Sequence, residues 1–390
     1  MMAVPAVSPD RLRDPALVPI AEKVRRGERL TGADAITLYR TPDLLGLGHL
    51  ADAANRARHG DVVTFASNQH INPTNICVLR KTCVFCGYAR LPKEEGAYRY
   101  SLEQVLGEAA QATDSMTREF HIVGGLDMQA GLEYYTTMFR ALKAAHPQVH
   151  IKALTAVEIA HIARIEKRSW TEVLVALREA GLDTMPGGGA ETFSAAVRDV
   201  IADKKLGGAD YIGVHRAAHQ LGIRTNCTML YGHIESTEDR VEHLAMLRAL
   251  QDETGGFLAF IPLAYHPDDN ELGATLGRQG SGTTGFDDLR NLAVGRLFLD
   301  NIAHIKSHWI MVSPSLTQVS LAFGVNDIEG TVVREKIYHA VGAQTQQGMS
   351  LEELLRLIRG AGKQPAERDS FYRVLRTFEP AATDAIGAAA

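Results

Sequence analysis

The sequence predicts an α/β protein that folds as a (β/α)8 barrel of the TIM type. Three observations support this fold class. Strand-like and helical segments alternate from Asp61 onward, which is typical of a parallel sheet with crossover helices. About eight such units occupy roughly 260 residues, which is the size of a TIM barrel. Glycines and polar residues follow most of the strands, where the functional loops of such barrels lie.

Residues 1–60 are predicted to form a helical extension ahead of the barrel. Leu17, Ile20 and Val24 recur at the spacing of one helix face. Thr31 and Asp34 are spaced as a capping box at the start of a second helix. Nothing in this segment indicates chemistry, so we expect a helical layer that packs on the barrel.

The barrel is expected over residues 61–330, and each predicted strand is a short apolar or alternating run. The clearest helix lies between the fifth and sixth strands. There, Ser236 and Asp239 are expected to cap its start and Gly255 its end. The predicted strands are residues 62–71, 119–124, 149–155, 181–185, 222–230, 256–265, 304–312 and 316–324.

Residues 331–390 are predicted to form a helical cover that packs on the outside of the barrel. Residues 351–362 carry the clearest helical pattern in this part, with leucines recurring every three or four positions. Residues 370–378 are also expected to be helical.

The composition indicates a soluble cytoplasmic protein without a nucleic-acid or membrane partner. The formal net charge is −5, so neither nucleic acid nor an anionic membrane is favoured as a partner. There is no run of 18 apolar residues, and the first residues lack the pattern of a secretory signal. Four cysteines, three of them clustered, are not a disulfide framework and fit a reducing compartment.

Three cysteines, Cys77, Cys83 and Cys86, lie close together in residues 72–90. A closed structural zinc site uses four ligands, whereas three leave one position open for a substrate. An iron–sulfur cluster is normally held by four cysteines, so three leave one iron free. Tyr88 follows two residues after the last cysteine. The residues by themselves leave an iron–sulfur cluster, a zinc site and a chance grouping open.

Other candidate site residues lie where the predicted strands end. Gly124 and Gly125 allow a ligand to approach the backbone closely, the alternative being a tight turn. The segment PGGGAE offers glycines that can cradle an anion, followed by Glu191, for which a helix-capping role is the alternative. His233 and His266 are candidates for proton transfer or substrate contact, with a structural role as the alternative.

Alternation along the fifth strand separates inward from outward side chains. Thr225 and Cys227 belong to the more apolar set, which is expected to face the helices, so Cys227 is not expected to bind metal. Arg224 is then expected to point into the barrel. Lys306 or His308 is the second choice for a positively charged side chain in the barrel interior. An interior this polar indicates a polar, anionic substrate.

The chain from about residue 61 to about residue 369 resembles the radical S-adenosylmethionine (SAM) superfamily. The superfamily signature is C-x3-C-x2-C with an aromatic residue two positions later. Here the first gap is five residues, and Leu126 stands where the superfamily's GGE element has its glutamate. The residues that this resemblance places at the cofactors are Cys77, Cys83 and Cys86 for a [4Fe–4S] cluster and Tyr88, Gly124, Gly125 and Glu191 for SAM.

The segments NPTNIC, HIVGG, IKALTAVE, PGGGAE and FGVNDIEGT resemble the branch of the superfamily that serves menaquinone (futalosine pathway) and deazaflavin-cofactor biosynthesis. The segments LYGHIE and AYHPDDNELG favour the aminodeoxyfutalosine synthase family. This resemblance implies a transferase that adds the 5′-deoxyadenosyl radical from SAM to 3-[(1-carboxyvinyl)oxy]benzoate, giving 6-amino-6-deoxyfutalosine. It also implies a low-potential electron donor such as flavodoxin or ferredoxin.

The implied substrate carries two carboxylates, and bidentate arginine contacts to carboxylates are strong. We therefore expect Arg224 to anchor the substrate, with His233 and His266 as the other candidate catalytic residues. Two alternatives stay open: dehypoxanthine futalosine cyclase, which shares PGGGAE, and a non-catalytic metal-binding barrel.

Overall fold

The computed structural model describes residues 4, 8, 11–111, 117–278, 282–332 and 335–379. The beginning of the predicted N-terminal extension and the end of the predicted C-terminal cover lie outside the described residues. The N-terminal layer consists of helices α1 (Leu17–Arg26), α2 (Gly32–Arg40) and α3 (Leu44–His59). The predicted capping box at the start of α2 is confirmed, because the side chains of Thr31 and Asp34 each accept the other's backbone N–H.

The remaining elements alternate as the sequence predicts over most of the chain. The strands are β1 (Val62–Phe65), β2 (Asn68–Ile71), β3 (Glu119–Ile122), β4 (His150–Ala153), β5 (Leu182–Met185), β6 (Arg224–Tyr231), β7 (Phe257–Ala264), β8 (His304–Ser307), β9 (Asp327–Ile328), β10 (Gln364–Arg368) and β11 (Val374–Thr377).

The helices between and after these strands cover the outer face of the sheet. They are α4 (Leu102–Ala110), α5 (Leu132–Ala145), α6 (Ala156–Glu166), α7 (Trp170–Glu179), α8 (Ala195–Ile201), α9 (Gly208–Gln220), α10 (Thr237–Thr254), α11 (Glu271–Leu276), α12 (Gly285–Phe298), α13 (Trp309–Val312), α14 (Pro314–Ser320) and α15 (Leu351–Gly360), with a 3-10 turn at His339–Val341. The caps predicted for α10 are confirmed at Ser236 and at Gly255, whose φ is 60°.

The sheet is curled, and the predicted fold class is confirmed. Strands β2 to β8 pair in parallel in chain order, β9 pairs with β8, and β1 pairs with β9. Only Ala66 and Ser67 separate β1 from β2, so this one bent segment joins the two ends of the ladder. The polar loops after the strands therefore meet on one face of the barrel, at the carboxyl ends of the strands.

The predicted eighth strand is wrong. Residues 316–324 form most of α14 and a following turn, and the eighth strand of the barrel is β9. Ser313 accepts the N–H of Leu316, and Pro314 occupies the first helical position, where its missing N–H costs nothing. The predicted seventh strand is also too long, because residues 309–312 are the helix α13.

The predicted helix at residues 370–378 is wrong as well. This segment forms β11, which pairs antiparallel with β10, and β10 lies parallel to β1. The hairpin of β10 and β11 (the C-terminal hairpin) lies at the amino-terminal end of the barrel. Its Arg368 is fully buried and makes two hydrogen bonds to Asp327, at 2.7 and 2.8 Å. Ser370 donates to Glu119 over 2.7 Å, so the hairpin closes this end of the barrel.

Candidate active site

A cavity of about 300 Å³ opens at the carboxyl ends of the strands and extends into the barrel. Its outer part is lined by the three-cysteine loop, the glycine turn after β3 and the PGGG segment after β5. Its inner part is lined by side chains of β2, β3, β4, β6, β7 and β8. Most of the residues predicted at the site therefore share one enclosure, although they come from distant parts of the sequence.

Cys77, Cys83 and Cys86 all line this cavity and are free thiols. The loop is held by its own backbone: the N–H of Cys83 donates to Leu79 O over 2.9 Å, and that of Cys86 donates to Cys83 O over 3.1 Å. Burial raises the pKa of Cys77, and it raises that of Cys83 to about 12 although the nearby Lys205 lowers it. Burial therefore disfavours the thiolates of Cys77 and Cys83, and a bound metal would stabilise them.

The three thiols fit an iron–sulfur cluster better than a single metal ion. Among the described residues, no three His, Cys, Asp or Glu side chains gather closely enough to bind one ion. A cluster does not need such a gathering, because each thiolate binds a different iron. Cys227, which was predicted to face the helices, is buried in the core outside this cavity.

The glycine turn touches the backbone of the segment that leads into the cysteine loop. Gly125 donates its N–H to Thr74 O over 2.8 Å, and a Cβ on Gly124 would lie only 2.8 Å from the same oxygen. A Cβ on Gly125 would collide with the carbonyl of Ile76. Only glycine allows this approach. The Gly124 N–H donates to Glu158 over 2.9 Å, and burial raises the pKa of that carboxyl to about 7.

Glu191 and Lys205 form a buried ion pair on the cavity wall near the cysteines, with 2.5 Å between Nζ and Oε1. Burial opposes the charge on Lys205, but Glu191 and Cys83 offset this, and the pKa of Lys205 is raised. The backbone of Glu191 has a φ of 51°, and its carbonyl accepts the N–H of Leu230. Sequence reasoning missed Lys205, although it follows the short helix α8 directly downstream of the glycines.

Tyr88 and His266 line the cavity as expected of site residues. The Tyr88 hydroxyl shares a hydrogen bond of 2.7 Å with the hydroxyl of Tyr98. The His266 ring lies with Nε2 3.1 Å from Met311 O, and burial lowers its pKa.

Two predicted site residues lie elsewhere. His233 is buried outside the cavity lining, with Nδ1 3.0 Å from Glu235 and Nε2 3.2 Å from Leu230 O, which is a structural arrangement. The interior position predicted for Arg224 is wrong: it is exposed and donates to Gly255 O. The alternation was assigned correctly, since Asn226 and Thr228 do line the cavity. However, Arg224 is the first residue of β6 and lies at the opposite end of the barrel from the cysteines.

The inner part of the cavity has two unlike walls. One wall carries cations and imidazoles, and the other is aliphatic. The polar wall is formed by His70, His121, Lys152, Asn226, Lys306, His308 and Glu329, and the aliphatic wall by Ile261, with Leu230 and Leu263 nearer the cysteines. Lys306 and His308 were the second choice for the barrel interior and do line it, but the sequence shows only which residues point inward and not which of them meet.

Comparison with known proteins agrees with this architecture. The Radical SAM superfamily model matches residues 71–247, and the model described as "CofH/MqnC C-terminal region" matches residues 254–381. The crystal structure of methylornithine synthase (PylB) has a TM-score of 0.71 at 16% identity, covering 88% of this chain and 96% of that one. The hydrogenase maturase HydG of Carboxydothermus hydrogenoformans has a TM-score of 0.70 at 17% identity, covering 92% and 80%. At this identity these two show the fold alone.

The curled barrel and the three-cysteine loop define the chain as a radical-SAM enzyme. It is 47% identical to aminodeoxyfutalosine synthase of Thermus thermophilus over 94% of this chain and 98% of that protein. It is 42% identical to aminodeoxyfutalosine synthase of Streptomyces coelicolor, covering 92% and 94%. Cyclic dehypoxanthine futalosine synthase of the latter organism is 36% identical, covering 95% and 92%. The chain therefore belongs to the aminodeoxyfutalosine synthase family of radical-SAM enzymes. Among the described residues, no helix is long and apolar enough to cross a membrane.

Proposed function

We propose that this enzyme transfers the adenosyl group of SAM to 3-[(1-carboxyvinyl)oxy]benzoate and forms 6-amino-6-deoxyfutalosine for menaquinone biosynthesis. The observation that carries the proposal is the single cavity in which a three-cysteine loop faces a chamber with one aliphatic and one polar wall. Such a chamber suits an aromatic ring that bears carboxylates. The higher identity to two synthases than to the cyclic dehypoxanthine enzyme supports this choice of reaction.

A [4Fe–4S] cluster would be held by Cys77, Cys83 and Cys86, and it would stabilise the thiolates of Cys77 and Cys83, whose pKa burial raises. Bound there, it supplies the electron that cleaves SAM into methionine and the 5′-deoxyadenosyl radical. With three cysteines as its protein ligands, the cluster would keep one iron for the amino and carboxylate groups of SAM. A low-potential donor such as flavodoxin or ferredoxin would supply the electron, and the reduced cysteines are consistent with work in the cytoplasm.

On the SAM side, we assign binding roles to the glycine turn and to the Glu191–Lys205 pair. Gly124 and Gly125 let the turn pack directly on the backbone at Thr74 and Ile76, so that the main chain of the turn lines the cavity. Lys205 is the buried cation next to the cysteines, so it suits the SAM carboxylate, and Glu191 suits the ribose hydroxyls or the amino group. Tyr88 and His266 close the cavity around the reacting groups and keep water from the radical.

The test is product analysis with anaerobically reconstituted enzyme, SAM, dithionite and the enolpyruvyl benzoate. Mass spectrometry is expected to show an adduct that contains the adenosyl group and has lost one carboxyl group. The variant Cys86→Ala is the matched control and is expected to yield neither this adduct nor 5′-deoxyadenosine. Free 5′-deoxyadenosine without the adduct would contradict the substrate assignment. If the enzyme instead converts dehypoxanthine futalosine supplied in place of the enolpyruvyl benzoate, it is a cyclase.

A further inference from the structure

The polar wall of the inner cavity contains buried atoms that lack a hydrogen-bond partner among the described residues. These atoms are Nε2 of His70, Nδ1 of His308 and Oδ1 of Asn226. All three residues line the cavity. A buried polar atom without a partner costs about 1–3 kcal/mol, so three of them around one space indicate that a ligand completes their hydrogen bonds.

Both lysines of the polar wall, and Arg368 below it, already have a carboxylate. Lys152 lies 2.6 Å from Glu119, and both side chains are almost fully buried. Lys306 lies 3.1 Å from Glu329. Arg368, below the cavity, is paired with Asp327. Because these charges balance, an anionic ligand needs further positive charge, and the imidazoles are the groups that can supply it by taking up a proton.

His308 is arranged to share such a proton between two carboxylates. Its Nε2 lies 3.7 Å from Glu329, and its Nδ1 on the opposite side of the ring has no partner. Glu329 is fixed independently, since it accepts a hydrogen bond of 2.6 Å from Asn68. A protonated His308 would therefore donate to Glu329 with one nitrogen and to a ligand carboxylate with the other.

We propose that His70 and His308 form the binding site for the ring carboxylate of an aromatic acid, and that binding of the acid is accompanied by uptake of a proton. This inference rests on the proposed function, because the aromatic acid is the enolpyruvyl benzoate. His70 lies within β2 and His308 directly follows β8, whereas the three cysteines lie further along the chain, in the loop after β2. The reacting double bond must lie near SAM, so the benzoate carboxylate is the one that reaches the inner wall.

The ligand-free protein keeps these imidazoles neutral. Burial lowers the pKa of His308 to about 4 and also lowers that of His70. The charged and titratable groups that face the two rings from neighbouring elements are Glu119, His121, Lys152, Lys306, Glu329, Glu335 and Tyr338. A bound carboxylate adds negative charge and raises the histidine pKa. Affinity should therefore fall by about tenfold per pH unit between the pKa of the free protein and that of the complex, and level off above the latter.

Calorimetry of enolpyruvyl benzoate binding to the reconstituted, unreduced enzyme tests this inference. Titrations in buffers of different ionisation enthalpy, between about pH 6 and pH 8, count the protons taken up. We expect close to one proton in the wild type. His308→Asn and His70→Asn should lower this number and weaken binding about tenfold or more, because each loses a charge-assisted hydrogen bond. SAM binding should be unchanged, which verifies that each variant is folded.

His59→Asn is the matched control. Burial lowers the pKa of this histidine to about 4 as well, but it lies outside the cavity and contacts Ala303 O. No proton uptake by the wild type, or equal uptake and affinity in His308→Asn, would overturn the inference. Benzoate is the second probe. If benzoate binds with the same dependence on His308 but the enolpyruvyl compound does not bind, the carboxylate site is supported and the proposed substrate is wrong.

Discussion

Replacement of Arg368 by methionine tests how the C-terminal hairpin closes the barrel. In the wild type, both partners of the Arg368–Asp327 pair are fully buried and make two hydrogen bonds. The guanidinium also lies 3.7 Å from the centre of the Tyr372 ring. Methionine keeps most of the volume but leaves Asp327 with Thr64, Tyr372 and a more distant Lys306. Loss of one partner from a buried pair costs about 3–5 kcal/mol of unfolding free energy.

The pH dependence of this loss distinguishes an unpaired charge from poorer packing. Burial by itself raises the pKa of Asp327, but Arg368 and Lys306 offset this, and the pKa is lowered in the wild type. Its contribution to stability is therefore present above the unfolded-state pKa and is lost only in acid. Without Arg368 the pKa of Asp327 should rise. The deficit of the variant should then be largest near pH 8 and shrink towards about pH 5, as the carboxyl takes up a proton.

Urea unfolding of the reconstituted protein, followed by tryptophan fluorescence at several pH values, measures this difference. Arg373→Met is the matched control on the same hairpin, because Arg373 is 69% exposed and its buried partner Asp369 keeps the backbone N–H groups of Phe371 and Arg373 as donors. It should cost less than about 1 kcal/mol at every pH. A deficit below about 1 kcal/mol for Arg368→Met, or one that does not change with pH, would refute the reasoning.

Three further predictions concern the cofactor end of the cavity. Cys83→Ala should lose nearly all bound iron and visible absorbance after reconstitution, whereas Cys227→Ala should retain both, since its thiol is buried elsewhere. Lys205→Met should weaken SAM binding about tenfold or more in equilibrium dialysis, because the SAM carboxylate loses its cation and Glu191 its partner. Lys204→Met should not, because Lys204 is 71% exposed. Gly125→Ala should lower iron content and the urea midpoint together, because its Cβ collides with the backbone leading into the cysteine loop. Unchanged values in these variants would contradict the assigned roles.

Local sequence patterns predicted the elements whose formation depends on near neighbours. The capping boxes at Thr31 and Ser236, the αL glycine at Gly255 and most barrel strands are confirmed. The prediction failed where local signals conflicted. Residues 316–324 alternate like a strand, but Ser313 and Pro314 start a helix there. This helix-start signal outweighs the alternation. Residues 370–378 also have no decisive local pattern, and their pairing with β10 makes them a strand.

The candidate site also has one part that local sequence patterns predicted and another part that they did not. The cysteine loop, the glycine turn and Glu191 could be identified from short motifs, because each motif lies within one loop. The polar inner wall could be identified only in part: alternation named Lys306 and His308, whereas Lys152 and Glu329 are ordinary residues in their own segments and no local pattern joins them to the site. Arg224 shows the limit of alternation most clearly: the pattern gave its side of the strand but not its depth in the barrel.

The sequence by itself determined the alternating α/β order, the three-cysteine loop and the family resemblance. These depend on composition, on periodicity and on residues close together in the chain. Only the tertiary structure decided which inward side chains share a level of the barrel, and that the C-terminal hairpin supplies Arg368 to the buried charges beneath the cavity. The physical reason is that strand register and curling of the sheet set these distances, and both result from contacts between residues far apart in sequence.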